Sequence, residues 1–192
     1  MQRFDLAAIA PVPWKNGGGV TRELACWPPG AGMDGFEWRA SVACIEQSGP
    51  FSAFPGVDRQ ILLLQGGGVL LRGHGLEHRL DRPHQPFAFS GDEPLQCQLL
   101  GDGPDPSSDF NLMLRRGAWR GAVSVTGQPL HAGPYPAGLC LALQGAWRTP
   151  AGEMLGPRQG LWWCGPENVL QLSPLPGGQE PAALAWVGLQ RG

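Results

Sequence analysis

Thirty glycines and 20 prolines punctuate the 192 residues, and no stretch of ten or more positions free of them carries an apolar stripe of 3.6-residue period. Helix is therefore limited to a turn or two. Between these breakers apolar runs recur at strand length: 20–27, 36–45, 60–64, 69–72, 86–90, 95–100, 110–115, 119–126, 139–144, 161–164, 169–172 and 184–189. Many short strands joined by tight turns predict an all-β sandwich or barrel. Eight tryptophans and seven phenylalanines supply core material that a disordered Gly/Pro-rich chain lacks.

Charge and cysteine usage exclude several classes of function. Fourteen basic residues against 16 acidic ones give a net charge of −2, without the basic footprint that nucleic acid requires. No segment approaches the ~18 apolar residues of a membrane span, and the N-terminus shows no signal-peptide apolar run, so a cytoplasmic protein is expected. The five cysteines are odd in number and widely spaced in apolar surroundings, which reads as reduced core residues.

The two halves resemble each other. Leu62-Leu63-Leu64-Gln65-Gly66 lies over Leu141-Ala142-Leu143-Gln144-Gly145, and Pro83 to Glu93 lies over Pro157 to Glu167, sharing Pro, Gln, Gly and Glu. A β unit duplicated within one chain leaves such a trace. The repeated hairpin resembles the strand order of cupin barrels, which implies two fused barrels: 1–120 and 121–192, with strands exchanged between them.

Few motifs carry chemistry. His74 and His78 are spaced for zinc on a helix, but Gly73 and Gly75 argue for a hairpin, on which the two would stand about 13 Å apart. No metal and no cofactor is expected. Phosphate and dinucleotide loops and the nucleophile elbow are missing as well. Pro13-Trp14-Lys15-Asn16-Gly17-Gly18-Gly19 combines a tight-turn signal with an aromatic ring and the sole lysine, as a lip over an anionic ligand would. Period-two alternation sets Arg22 and Glu23 on opposite faces, groups Arg39 with Ser41, and aligns Asn111, Met113 and Arg115. Arginines turned into a barrel need carboxylates, from Glu23, Asp58 or Asp109 or from a ligand.

Six blocks stand in order: P-W-K-N-G-G-G at 13–19, T-R-E-L at 21–24, W-R-x-S at 38–41, G-P-F-S-x-F-P-G-V-D-R at 49–59, F-x-G-D at 89–92 and D-F-N-L-M-x-R-R at 109–116. Together they resemble the HutD/Ves family over residues 4 to 120. The resemblance implies a two-barrel (jelly-roll) cupin without the metal triad, and pocket residues Trp14, Lys15, Asn16, Arg22, Arg39, Ser41, Arg59, Asn111 and Arg115. In the HutD branch the gene accompanies histidine-utilisation genes and the protein is thought to tune that pathway. The Ves branch is linked to stress response.

The function expected is a non-catalytic regulatory protein that binds a small carboxylate such as urocanate, formiminoglutamate or N-formylglutamate. Two alternatives stay open. One is a metal-independent cupin enzyme with Glu23 or Asp58 moving a proton and Lys15 or an arginine holding an oxyanion. The other is an interaction module for a regulator. No nucleic acid or membrane partner is expected, and an exposed strand edge would allow a homodimer.

Overall fold

A computed structural model describes residues 1–101, 106–177 and 180–192. The chain is nearly all β; among the described residues the helix is one 3-10 turn, Leu6–Ala8, where the Asp5 carboxylate accepts from the Ala7 amide. It divides into two compact units, a central one of Ala10–Ala118 and a second one of Met1–Ile9 with Trp119–Gly192. No helix among the described residues is long and apolar enough to cross a membrane.

Strand β1 (Gln2–Asp5) belongs to the second unit, and the central unit holds the next ten: β2 (Val12–Pro13), β3 (Gly19–Trp27), β4 (Trp38–Ile45), β5 (Gly49–Phe51), β6 (Val57–Gln65), β7 (Val69–Gly73), β8 (Leu76–Leu80), β9 (Phe87–Ser90), β10 (Leu95–Leu99) and β11 (Ser107–Arg115). They form two antiparallel sheets, β2-β3-β4-β11-β6-β9 and β5-β10-β7-β8. Apolar side chains from both sheets meet in one core: Ile45, Ile61 and Leu63 from the larger, and Phe51, Val69, Leu71, Leu80, Leu95 and Cys97 from the smaller. Period-two alternation explains the choice of face, and each fully buried Leu or Ile contributes about 1.5–3 kcal/mol.

The second unit continues with β12 (Trp119–Arg120), β13 (Ser124–Thr126), β14 (Leu130–Gln144), β15 (Trp147–Arg148), β16 (Met154–Leu155), β17 (Gln159–Pro174) and β18 (Ala183–Arg191). Its sheet runs β12-β18-β14-β17-β15-β16, with β1 added to β17 and β13 to β18. Two runs that the sequence separates, 161–164 and 169–172, are one 16-residue strand, β17. Opposite its middle, β14 carries Pro134 and Pro136, and the register shifts there, where a residue lacking an amide proton is tolerated.

The internal repeat is visible in the backbone. Among the described residues the two non-glycine residues with positive φ are His84 (66°) and Arg158 (69°), at matching places in the repeated Pro-x-Gln segment. Each donates its amide to a carbonyl of the repeated L-x-L-Q strand: His84 to Leu63 at 3.2 Å, Arg158 to Ala142 at 2.8 Å.

Candidate functional site

Register turns the alternation of β3, β4, β11 and β6 into rows of side chains on the face that meets the core. One row reads Glu23, Ser41, Asn111, Ile61, and the next Cys26, Arg39, Met113, Arg59. A third runs Thr21, Ala43, Asp109, Leu63. Both faces of β11 are buried over 109–114, so Asp109 and Asn111 are buried with it. The buried polar set is Ser41 (2% exposed), Arg59 (4%), Ser107 (2%), Asp109 (2%) and Asn111 (6%).

Two members of that set are satisfied locally. The Ser107 hydroxyl accepts from the Gly68 amide at 2.8 Å and donates to the Gly68 carbonyl at 3.0 Å. Ser41 accepts from Arg39 Nη1 at 3.3 Å, while Arg39 Nε donates to Glu23 at 2.7 Å. The others remain incomplete: Arg59 Nε, both Asp109 oxygens and the Asn111 amide oxygen are buried without a hydrogen-bond partner. Burial pushes the Asp109 carboxyl up to about 7, against the opposing pull of Arg59. Nearby Cys97 is pushed up to about 12, by burial first and by Asp109 second.

Arg59 sits in an aromatic cage. Its guanidinium lies 4.4 Å from the Phe51 ring centroid, 5.3 Å from Phe54 and 5.1 Å from Phe89, and Nη1 donates to the Ser52 carbonyl at 3.2 Å. Ring faces partly replace lost hydration. Burial still draws the group down to about 10, so it is a cation at neutral pH.

The outer motif residues clamp this cage. Arg116 donates to Asp58 at 2.7 Å, to Asp92 at 2.6 Å and to Ser90 at 2.9 Å, and Asp92 also accepts from the Gly56 amide at 2.7 Å. These bonds, the Arg116 contact first, hold the Asp92 carboxyl well below the usual carboxylate range. Gly91 is required because a Cβ there would meet the Val57 carbonyl at 2.8 Å and the Phe54 carbonyl at 2.9 Å.

The residues singled out from sequence separate clearly. Arg39, Ser41, Arg59 and Asn111 come together on the inner face. Trp14 is half-buried against the same core and donates to Thr21 at 2.7 Å, while Lys15 and Asn16 are exposed on the turn beside it. Asn16 uses its side chain to cap Gly18. Arg22, opposite Val42, lies on the other face of β3. Arg115 anchors the loop between β3 and β4, donating to the Phe36 and Asp34 carbonyls at 2.9 and 3.1 Å. Of the two acids considered for proton transfer, Glu23 is paired to Arg39 and Asp58 to Arg116. Asp109, one of the carboxylates considered as a partner for the arginines, lies in the interior with Arg59, and the structure adds Phe51, Phe54 and Phe89, three residues of the motif blocks, as the cage around that guanidinium.

Two other features bear on the site. His78 stacks on Phe87 with centroids 3.5 Å apart, and His74 is exposed at the β7–β8 turn. Among the described residues no group of three or more His, Cys, Asp or Glu is placed to hold a metal ion. An open cleft of about 510 Å³ lies in the second unit, lined by residues including His131, Arg148, Thr149 and Gln171, and it holds none of the motif residues.

Comparison with known proteins identifies the family and the fold. The HutD family profile matches residues 7–177. Protein Ves of Cronobacter sakazakii is 41% identical over 173 residues, covering 90% of this chain and 92% of that protein. The solved structure of HutD from Pseudomonas fluorescens SBW25 superposes with a TM-score of 0.83 at 30% identity, covering 100% of this chain and 98% of the other. A conserved protein of unknown function from Pseudomonas aeruginosa PAO1 gives 0.83 at 33% identity, with 98% of each chain covered. Cupin structures, among them an oxalate decarboxylase of Lactobacillus farciminis at TM-score 0.67 and 8% identity, share the fold alone. With its ordered motifs, two-unit cupin fold and full-length relatives, the chain belongs to the HutD family.

Proposed function

We propose that this protein is a non-catalytic regulator of histidine utilisation that holds a small carboxylate intermediate, such as urocanate, formiminoglutamate or N-formylglutamate, inside the central unit. Membership of the HutD family supports the pathway, and the residues support the ligand chemistry. One observation carries the reading: an otherwise apolar core holds a buried cation, an amide and a carboxyl group with Arg59 Nε, Asn111 Oδ1 and both Asp109 oxygens unanswered. Buried polar groups are ordinarily paired, and departures cluster at functional sites. Arg59 and Arg39 sit in one row on either side of Met113, and a carboxylate is the natural partner of a guanidinium.

Titration calorimetry with those three acids tests the reading. Saturable binding is expected, with a thermal shift of about 5–10 °C near 100 times the dissociation constant. Arg59→Met and Arg39→Met should each weaken it at least about tenfold, the loss of a charge-assisted hydrogen bond. Unchanged affinity in both variants would show that the acid binds elsewhere.

The enzymatic alternative gains one observation, the Asp109 carboxyl raised to about 7 inside the site. It calls for turnover, which NMR of each acid incubated with the protein would detect. Acid recovered unchanged leaves binding as the function.

A further inference from the structure

The unanswered atoms of this interior are lopsided. Arg59 contributes one donor, Nε, whereas Asp109 contributes two acceptor oxygens and Asn111 one. Above about pH 7, where Asp109 is ionised, a ligand bringing only a carboxylate would answer Arg59, leave three acceptors bare and set a second negative charge in the same interior. The strands alongside do not answer them: Asp109 is flanked by Ala43 and Leu63, which carry no polar side chain, and Asn111 Oδ1 receives no hydrogen bond from its neighbours Ile61 and Ser41. Asp109 and Asn111 alternate along β11, which puts their Cα atoms about 7 Å apart on one face, close enough for a single nitrogen-bearing group to reach both side chains.

Building on the small-acid reading above, we propose that the ligand is an acid that also carries N–H donors, an amide, amidine or azole, and that Asp109 with Asn111 forms the subsite selecting for them. The arginines then fix the carboxylate end, and the two β11 acceptors discriminate against acids of the same shape without the N–H. A site built to hydrogen-bond a donor rejects the analogue that lacks it, because its own buried acceptors are then left unpaired.

Matched pairs test this with the full chain. Urocanate is compared with 3-(2-furyl)acrylate, which replaces the azole by a furan, and N-formylglutamate with 2-formyloxyglutarate, in which an ester oxygen replaces the N–H. Wild type should hold the N–H member of a pair at least about tenfold more tightly. Asp109→Leu should reduce that preference to within about twofold, and Asp109→Asn, which retains one acceptor, should fall between. Equal affinities within both wild-type pairs would overturn the donor subsite while leaving the small-acid reading intact. Binding by no member of either pair would overturn both.

Discussion

The two units carry equivalent ladders and fill them with opposite chemistry. In the central unit β6 and β9 pair Ile61 with Phe87 and Arg59 with Phe89; in the second, β14 and β17 pair Cys140 with Leu161 and Gly138 with Trp163. On the other side, β11 sets Asp109, Asn111 and Met113 against Leu63, Ile61 and Arg59, whereas β18 sets Leu184, Trp186 and Gly188 against Ala142, Cys140 and Gly138. Thus Asp109 answers to Leu184, Asn111 to Trp186 and Arg59 to Gly138. At Gly138 a Cβ would come within 2.5 Å of the Trp163 indole, so that ring fills space that an arginine stem would need. The fold itself therefore does not require polar residues at these places; one unit closes the same lattice with Leu184, Trp163 and Leu161 in a dry core. A buried Arg-Asp-Asn set kept where apolar residues suffice is a cost to stability.

Exchanging residues between the units is the sharpest way to break this comparison. The largest effect is expected from Leu184→Asp, which places an unpaired carboxylate in the dry core and should cost about 3–5 kcal/mol in urea unfolding. A loss below about 1 kcal/mol would mean that the two interiors are equally tolerant of charge. The reverse change, Asp109→Leu, should stabilise the ligand-free protein by about 1–3 kcal/mol, since it removes two bare acceptors. Stability should also depend on pH through this residue. Because the folded carboxyl is raised to about 7, the folded state holds a proton that the unfolded state has already released above about 4, so stability falls as pH rises from 4 to 7 and levels off beyond. Urea midpoints at pH 5 and 8 should therefore show a gap between wild type and Asp109→Leu that widens at pH 8; a constant gap would remove Asp109 from the explanation. The smallest effect is expected from Asp92→Ala, which loosens the exposed clamp on Gly56 and Arg116 but leaves the inner row in place. Its unfolding midpoint should fall less than that of Leu184→Asp, and a larger fall would mean that the clamp holds the cage.

Much of this was legible in the sequence, for identifiable reasons. Period-two alternation put Arg39 with Ser41, and Asn111 with Met113, because strand geometry allows no other arrangement once a strand is assigned. The Gly/Pro punctuation located most strands but hid the continuity of β17 across Gly165-Pro166, where the register shifts at a bulge and Gly165 takes a φ of 136°. The pairing of residues 2–5 with 159–162 is a contact between strands far apart in sequence that no local pattern encodes. Phe51, Phe54 and Arg59 share one motif block, but Phe89 lies on β9, and its place against the same guanidinium is set by the β6–β9 pairing. Asp109 has the same parity as Asn111. What sequence does not reveal is that its strand neighbours, Ala43 and Leu63, leave it unanswered.

A crystal structure of the protein saturated with N-formylglutamate tests the central claim most directly. The account predicts the acid inside the central unit, its carboxylate end toward Arg59 or Arg39 and its N–H toward Asp109 or Asn111. Ligand found instead in the cleft of His131, Arg148 and Gln171, with the central interior unchanged, would contradict it.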